Sequence, residues 1–334
     1  MNRLNGRTAV LTGGGTGMGR ELARQLAAAG CHVAMCDVSA GNMEQTRSLC
    51  EADAPAGVRV TTHLADVSVE SEVLRFRDEV VREHEAGCVH FVFNNAGIAG
   101  AGSVIADDRQ RWERTFNVCW YGVYYSTRAF LPLLIAADEG HLVNTSSVNG
   151  FFASGGEVPH VSYSAAKFAV KGFTEGLIGD LAIHAPHVKA SLVMPGYVGT
   201  SILANSAKVL GNEPNEMAED ELEALRERFE HGGGDLSRLT TEEIRQSMLS
   251  EFDSFRDNAP MTAAEAATII LEAVLAGRWR ILVGDDARIL DGMVRAEPEE
   301  AYTAEFFERY RARTTVSVPN FRREGVEALA EKII

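Results

Sequence analysis

Two residues whose side chains could handle a proton, Tyr163 and Lys167, stand four positions apart in the run Tyr163-Ser164-Ala165-Ala166-Lys167. The small residues of this run and the apolar spacing that follows it predict a helix, on which residues i and i+4 share one face. A free tyrosine loses its proton at about pH 10, and a fixed positive charge beside it favours the phenolate. The pair could therefore exchange a proton with a bound molecule near neutral pH, although the same spacing also occurs in solvated surface pairs.

A glycine-rich turn near the N-terminus has the form of a phosphate-binding element. The short apolar run Thr8-Ala9-Val10-Leu11-Thr12 is followed by Gly13-Gly14-Gly15-Thr16-Gly17-Met18-Gly19 and then by a helical pattern from Arg20 to Ala27. A strand, a glycine turn and a helix N-terminus together cradle a pyrophosphate, because glycine lets the backbone approach closely and the free N–H groups favour an anion. A merely flexible glycine turn is the alternative.

Two acids follow the next two predicted strands. The apolar run His32-Val33-Ala34-Met35-Cys36 ends in Asp37, where a carboxylate can accept hydrogen bonds from an adenosine ribose and would repel a 2′-phosphate. This favours NAD over NADP, although Asp37 could instead cap the following helix. The third strand, Val58 to Leu64, stops just before Asp66-Val67, where an acid can reach the adenine amino group.

The alternation of these elements predicts the fold. A fourth strand, Val89 to Phe93, ends in Asn94-Asn95-Ala96-Gly97, and helical patterns separate the four strands. This order is typical of the α/β class, a doubly wound parallel sheet or Rossmann fold with its ligand at the carboxyl edge of the strands. We predict one catalytic domain over residues 1–334.

Six motifs in the same order resemble the short-chain dehydrogenase/reductase family, in the branch with a YxxxK signature and a TGxxxGxG cofactor motif. The resemblance covers roughly residues 4–200 and, more loosely, 260–290. The motifs are Thr12-Gly13-x3-Gly17-x-Gly19, Asp66, Asn94-Asn95-Ala96-Gly97, Ser146-Ser147, Tyr163-x3-Lys167 and Pro195-Gly196-x-Val198-x-Thr200.

The resemblance implies four catalytic residues. Tyr163 would be the general acid/base, and Ser147 would orient the substrate oxygen. Lys167 would lower the pKa of Tyr163 and donate a hydrogen bond to the nicotinamide ribose. Asn117 would distort its helix and hold a water. Ser146 is a weaker candidate than Ser147. The interval from Ser147 to Tyr163 is longer than is common in the family, which suggests a loop expansion over Gly155 to Pro159.

The resemblance and the glycine turn together imply a site for NAD. The expected cofactor-binding residues are Gly13, Thr16, Gly17, Met18, Gly19, Asp37, Asp66, Val67, Asn94, Ala96, Gly97, Tyr163, Lys167, Pro195, Gly196, Val198 and Thr200. No metal site is expected, because the five cysteines form no Cys-x-x-Cys pair.

Composition and net charge argue against several other classes of function. The chain has 334 residues and a net charge of -15, which disfavours nucleic acid and anionic membranes as partners. It shows neither a signal-peptide pattern nor an apolar run long enough to cross a bilayer, so a cytoplasmic protein is expected. A serine hydrolase is disfavoured, since Ser147 lies in no Gly-x-Ser-x-Gly turn.

The second half departs most from the family. We predict an enlarged helical lid over residues 201–260, with apolar stripes at Leu222, Leu225 and Phe229 and at Ile244, Met248, Phe252 and Phe255. The alternative is that these helices pack on the body of the protein or on another subunit. The resemblance implies a homodimer or homotetramer, and a C-terminal tail, 313–334, could dock on a second subunit.

The function expected from these observations is NAD(H)-dependent interconversion of a secondary alcohol and its ketone. Phe151, Phe152 and Tyr197 suggest an apolar or bulky substrate. An NADPH-dependent 3-oxoacyl-type reductase is the alternative enzyme, disfavoured by Asp37. A non-catalytic dinucleotide-binding sensor or scaffold is the alternative from another class.

Overall fold

The computed structural model describes residues 3–100, 104–105, 108–153, 160–231, 236 and 239–314, with the backbone alone over 228–231. Three sequence expectations lie outside the described residues: the loop expansion at 155–159, the apolar contact of Phe229, and the tail beyond Thr314.

The core is a seven-stranded parallel sheet, which confirms the predicted doubly wound fold. Its strands are β1 (Thr8–Thr12), β2 (His32–Asp37), β3 (Val60–Leu64), β4 (Phe91–Asn94), β5 (Gly140–Thr145), β6 (Val188–Pro195) and β7 (Arg280–Val283). They lie in the order β3-β2-β1-β4-β5-β6-β7, and every neighbouring pair is parallel. The order reverses between β1 and β4, and the carboxyl ends of the strands there form the crevice in which such folds bind ligands.

Twelve helices connect and cover the strands in the part of the chain that is described. They are α1 (Gly17–Ala28), α2 (Ala40–Asp53), α3 (Glu70–Glu83), α4 (Arg109–Phe116), α5 (Gly122–Ile135), α6 (Val161–His184), α7 (Ile202–Val209), α8 (Glu219–His231), α9 (Thr241–Asp257), α10 (Ala263–Leu275), α11 (Asp285–Ala296) and α12 (Ala304–Arg313). None of the described helices is long and apolar enough to cross a membrane.

Alternating side chains of each strand reach opposite faces of the sheet. Along β1, Ala9 and Leu11 join the cluster that packs under α1, α2 and α10, whereas Val10 joins the cluster under α3, α5 and α6. Phe76 and Phe130 are fully buried in the second cluster. Burying one such side chain contributes roughly 1.5–3 kcal/mol to the stability of the fold, so the apolar packing of helices on the sheet stabilises it.

A widened turn separates α4 from α5. The segment Asn117–Tyr121 is a π-helical turn, in which the Gly122 N–H donates to the Asn117 carbonyl oxygen five residues earlier. Such turns insert one extra residue and rotate the side chains that follow relative to those that precede. The sequence placed Asn117 in a continuous helix that it would distort, and the distortion begins at this residue.

The predicted lid region contains both expected helices, α8 and α9, and a third, α7, that the sequence analysis did not identify. Met217, Leu222 and Ile244 form a small cluster between α8 and α9. Thr240 and Glu243 form a capping box that starts α9. The two helices therefore bury much of their apolar surface against each other.

The C-terminal helices α11 and α12 pack beside the segment that follows β5. The ring of Phe152 stacks on Tyr302 with centroids 5.3 Å apart, and it lies 5.9 Å from the ring of Phe306. Leu290 and Met293 of α11 complete this cluster. The contact places α11 and α12 against the carboxyl edge of the sheet.

Candidate active site

Two adjoining cavities lie at the carboxyl edge of the sheet. The larger, about 500 Å³, is bounded by the glycine turn, the end of β2 and α7. The smaller, about 270 Å³, is bounded by the ends of β5 and β6 and by α6, α11 and α12. The residues that line both cavities are Met18, Asn95, Gly97, Thr200 and Ile202. A long ligand could therefore extend from one cavity into the other.

The glycine turn packs too tightly for side chains. Gly13 has φ +70°, and a Cβ there would lie 2.8 Å from the Cα of Ala96. A Cβ on Gly19 would overlap the carbonyl oxygen of Gly13, so Gly19 shapes the turn without lining either cavity. Thr16 is the N-cap residue of α1, but its side chain makes no capping hydrogen bond. The first-turn N–H groups are therefore available to an anion, as a dinucleotide pyrophosphate requires.

Asp37 lies at the adenosine end expected for such a ligand. Its two carboxylate oxygens accept hydrogen bonds from the backbone N–H groups of Gly15 and Ser39, each at 3.0 Å, and the residue lines the larger cavity. Ser39, and not Asp37, is the N-cap of α2. The capping alternative for Asp37 is thus wrong, and its carboxylate retains lone pairs for a ribose hydroxyl.

Asp66 and Val67 line the same cavity, but the carboxylate of Asp66 is already engaged. It accepts hydrogen bonds from the Ser68 N–H at 2.9 Å and from Arg114 Nη2 at 2.6 Å. Burial alone would raise the pKa of Asp66, but the hydrogen bonds from Arg114 and Ser68 lower it below the ordinary value. The residue is therefore a fixed acceptor at this wall of the cavity.

Tyr163, Lys167 and Ser147 line the smaller cavity together. Lys167 is 2% exposed, and its ammonium lies 5.5 Å from the centre of the Tyr163 ring. Burial raises the pKa of Tyr163 above its ordinary value, while the charge of Lys167 and a hydrogen bond with the Ser147 side chain act in the opposite direction. The sequence predicts the effect of the lysine on the pKa of Tyr163, but not that the effect of burial is larger.

The two adjacent serines have different surroundings. Ser146 Oγ donates to the backbone carbonyl of Lys167 at 2.8 Å, so this hydroxyl joins the end of β5 to α6. Ser147 begins the short 3₁₀ turn Val148–Gly150, where its Oγ accepts from the Asn149 N–H at 3.2 Å. Both serines line the smaller cavity, but of the two only Ser147 affects the pKa of Tyr163.

Besides Gly19, two more predicted site residues, Asn94 and Asn117, line neither cavity. Asn94 is 1% exposed and donates to Asn144 Oδ1 at 2.8 Å beneath the sheet edge, whereas its neighbour Asn95 lines both cavities. Asn95 donates to the Thr12 carbonyl, and its buried Oδ1 has no hydrogen-bond partner within the described residues. The half-buried Asn117 also lies outside both linings.

Cys119, two residues after Asn117, lies near the catalytic lysine. Its Sγ donates to the Ile98 carbonyl at 3.3 Å, and both this sulfur and the Lys167 ammonium lie against Gly97. The sequence motifs assign Cys119 no role, so this placement was not predicted. Cys119 belongs to the π-helical turn, which α-helical spacing does not predict.

One face of α7 covers the larger cavity, and this too was missed. Ile202, Asn205 and Lys208, at i, i+3 and i+6, line it. Asn205 Nδ2 donates to Thr16 Oγ1 at 2.8 Å, which joins α7 to the glycine turn. The first part of the predicted substrate lid therefore lies over the dinucleotide-sized cavity. The helical spacing of residues after Thr200 could have predicted this helix from the sequence.

The smaller cavity is largely apolar away from Tyr163. Its walls include Phe152, Tyr197, Leu203, Phe255 and Phe307, whereas the predicted Phe151 is not among them. The Tyr197 hydroxyl donates to the Phe255 carbonyl at 2.9 Å, and this bond attaches the end of α9 to the cavity wall. Pro195, Gly196 and Val198 line this cavity as well.

The described residues fit an extended dinucleotide. The glycine turn offers uncapped N–H groups, Asp37 offers a carboxylate, and Asn95 offers an unpartnered oxygen where the cavities meet. In the described part of the chain, no group of three or more His, Cys, Asp or Glu side chains is arranged to hold a metal ion.

Comparison with known proteins gives consistent results. A family model described as short chain dehydrogenase matches residues 7–210. SadH of Mycobacterium tuberculosis, which its name describes as an oxidoreductase, is 38% identical over 295 residues, covering 88% of this chain and 92% of SadH. Human estradiol 17-beta-dehydrogenase 11 is 29% identical over 218 residues, covering 64% of this chain and 70% of that protein. A short-chain dehydrogenase/reductase from Burkholderia phymatum, crystallised in complex with NAD, has a TM-score of 0.70 at 29% identity and covers 90% of this chain and 96% of its own.

Proposed function

The chain belongs to the short-chain dehydrogenase/reductase family of oxidoreductases, and we propose that it interconverts a secondary alcohol and its ketone with NAD(H), using Tyr163 as general acid/base. The observation that carries this proposal is the grouping of Tyr163, Ser147 and Lys167 in a cavity that adjoins the glycine-turn cavity. When bound, the nicotinamide cofactor supplies or accepts the hydride.

Each of these three side chains has a role that its surroundings support. The Tyr163 hydroxyl removes the alcohol proton in oxidation and returns it in ketone reduction. The Ser147 hydroxyl, which lines the same cavity as Tyr163, donates to the oxygen on which negative charge develops. The Lys167 charge favours the ionised form of Tyr163, and its ammonium would donate a hydrogen bond to the nicotinamide ribose of the cofactor.

We assign the larger cavity to the adenosine and pyrophosphate of the cofactor. Gly13, Thr16 and Gly17 would hold the pyrophosphate, while Asp37 would accept from the ribose diol. Pro195, Gly196, Val198 and Thr200 would hold the nicotinamide end, near Gly97. The geometry adds Asn95, Asn205 and Lys208 to the residues expected from the sequence.

The preference for NAD over NADP rests on Asp37. Its carboxylate accepts hydrogen bonds from the backbone N–H groups of Gly15 and Ser39, and its negative charge would repel a 2′-phosphate placed there. Comparing kcat/KM with NADH and NADPH tests this choice. A strong NADPH preference would support the alternative, a 3-oxoacyl-type reductase. The Asp37→Ser variant should narrow the difference between the cofactors, whereas Asp53→Asn, in an exposed pair with Arg24, should not.

The substrate we propose is an apolar or bulky secondary alcohol. Phe152, Leu203, Phe255 and Phe307 line the cavity that contains Tyr163. The name of the related estradiol 17-beta-dehydrogenase 11 describes oxidation of such an alcohol in that protein. Incubating the protein with NAD and a panel of secondary alcohols, and following the absorbance of NADH, tests the reaction. Cofactor binding without turnover of any member would favour the alternative of a non-catalytic sensor.

We also propose a homodimer or homotetramer. An aromatic surface runs along α5 and α6, with Trp120 packed edge-on against Phe173 and Tyr121 stacked on Tyr125. Phe168 and Val161 on α6 are exposed. Light scattering on the purified protein measures the assembly directly, and a monomer at micromolar concentration would contradict this proposal.

A further inference from the structure

A buried carboxylate, Asp286, lies in the wall of the smaller cavity opposite the catalytic side chains. It belongs to the first turn of α11 and is 7% exposed. Its Oδ2 accepts a hydrogen bond from the Tyr197 N–H at 2.7 Å, and its carboxyl group lies against the Cα of Gly196, where any side chain would overlap it. The sequence analysis gave this residue no role.

The charge of Asp286 has no cationic partner among the described residues. The nearby arginines pair elsewhere: Arg280 and Arg295 with Asp291, and Arg288 with Asp285. Burial raises the pKa of Asp286, and hydrogen bonds from backbone N–H groups only partly oppose this effect. Such a carboxylate gains from any further hydrogen-bond donor that reaches it.

Tyr310 of α12 lines the same cavity as Asp286, and it packs in one apolar cluster with Leu290 of α11. Burial, and then the charge of Asp286, raise the pKa of Tyr310 above its ordinary value. Within the described residues the Tyr310 hydroxyl makes no hydrogen bond. The wall of one cavity therefore offers both an acceptor, Asp286, and a hydroxyl, Tyr310, that can donate or accept.

The sheet fixes the separation of this pair from the catalytic residues. Ser147 follows β5, Asp286 follows β7, and β6 lies between them. Neighbouring strands are about 4.8 Å apart, so the two positions are separated by roughly 10 Å. Leu290, Phe307 and Phe255 provide apolar walls in the same cavity.

We propose that Asp286 and Tyr310 form a second polar subsite that binds a hydroxyl at the far end of the substrate, away from the carbon that is oxidised. This inference rests on the proposed function, because it takes the smaller cavity as the substrate site. The substrate class is then an elongated apolar molecule with an oxidisable secondary alcohol at one end and a hydrogen-bond-donating hydroxyl at the other.

The energetics of an unpaired buried acceptor give the expected selectivity. A site built to hydrogen-bond a hydroxyl discriminates against the analogue that lacks it, because its own polar group is then left without a partner. Hydrogen bonds to charged groups of this kind correspond to a preference of about 10-fold to 100-fold.

A matched pair of alcohols tests the subsite: 4-(4-hydroxyphenyl)butan-2-ol and 4-phenylbutan-2-ol, which differ only in the distant hydroxyl. Their dissociation constants from the protein–NADH complex are measured by the change in NADH fluorescence, and their oxidation rates with NAD are measured in parallel. We expect the hydroxylated alcohol to bind at least about 10-fold more tightly.

Two variants locate the effect. Tyr310→Phe should reduce the preference towards unity while leaving NADH affinity unchanged. Asp286→Asn should also reduce the preference, and its NADH affinity is measured separately because Asp286 contacts Gly196 and Tyr197. Tyr310→Phe remains informative if Asp286→Asn folds poorly. Asp285→Asn, which alters the exposed neighbouring acid paired with Arg288, is the control and should keep the preference.

The outcomes separate this proposal from the proposed function. Equal binding of the two alcohols, binding of neither, or a preference that survives in both variants would overturn the subsite. A variant-sensitive binding preference without oxidation of either alcohol would support the subsite and count against the dehydrogenase function.

Discussion

The ammonium of Lys167 donates a hydrogen bond to the backbone carbonyl of Thr145 at 3.0 Å. This contact ties α6 to the last residue of β5 and holds a nearly fully buried charge beneath Tyr163. Because the lysine is anchored to the sheet, its position relative to Tyr163 does not depend on a bound ligand. The site is thus organised around a fixed cation, against which the substrate and the cofactor would be positioned.

Tyr163→Phe should abolish most of the turnover. Removing a general acid/base costs roughly 10²–10⁴-fold in rate, whereas the ring packing that Phe retains should leave the cofactor cavity unchanged. Steady-state oxidation rates and NADH dissociation constants measure the two effects separately. Near wild-type activity in this variant would remove the acid/base assignment.

Ser147→Ala and Ser146→Ala should affect different properties. Loss of the Ser147 hydroxyl should lower kcat by roughly 10²-fold to 10³-fold, because it removes a donor to the developing charge. Its cost in unfolding free energy should be about 1 kcal/mol, from the lost hydrogen bond with the Asn149 N–H. Loss of the Ser146 hydroxyl leaves the buried Lys167 carbonyl without its partner and should cost about 1–3 kcal/mol of stability. Urea unfolding and initial rates on both variants make the comparison, and a reversed pattern would identify Ser146 as the reactive serine.

Asn205→Ala should weaken cofactor binding through α7. The variant loses the hydrogen bond to Thr16, so α7 is held less firmly over the larger cavity, and NADH affinity should fall by about fivefold. Lys208→Gln, on the same face of α7, should also reduce affinity. Lys171→Gln removes a lysine that pairs with Glu175 away from both cavities and serves as the control. Unchanged NADH titrations in the α7 variants would show that this helix does not contact the cofactor.

Acid should destabilise the protein partly through His141. Burial lowers the pKa of His141 from 6.5 to about 4, so the folded state cannot take up the proton that the unfolded state binds below pH 6.5. The stability that the neutral ring contributes is thus present above pH 6.5 and is lost as pH falls towards 4, by on the order of 3 kcal/mol.

His141→Gln should flatten this dependence, because glutamine can still donate to Ser191 but does not titrate. The measurement is urea unfolding at several pH values between 4 and 7. His184→Gln, at an exposed position, should leave the dependence unchanged. If the unfolding free energy depended on pH equally in the wild type and in His141→Gln, His141 would not be the source of the acid destabilisation.

The sequence determined the parts of the site that depend on local spacing. The four-residue interval of Tyr163 and Lys167 places both side chains on one face of α6, and the glycine turn precedes α1 because strand, turn and helix follow directly along the chain. Asp37 ends β2 and lines the larger cavity as expected. The parallel doubly wound sheet followed from the alternation of strands and helices for the same reason.

Tertiary structure decided which neighbour of each pair reaches the cavities. Asn95 lines them while Asn94 is buried beneath, since consecutive residues at a strand end point to opposite sides. Cys119 lies with the Lys167 ammonium against Gly97, and it belongs to a π-helical turn that α-helical spacing does not predict. Asp286 and Tyr310 come from far along the chain, and only the pairing of β6 with β7 and the packing of α12 bring them to the cavity of Tyr163. Spacing fixes the faces of individual elements, but it carries no information about which distant element packs against each face.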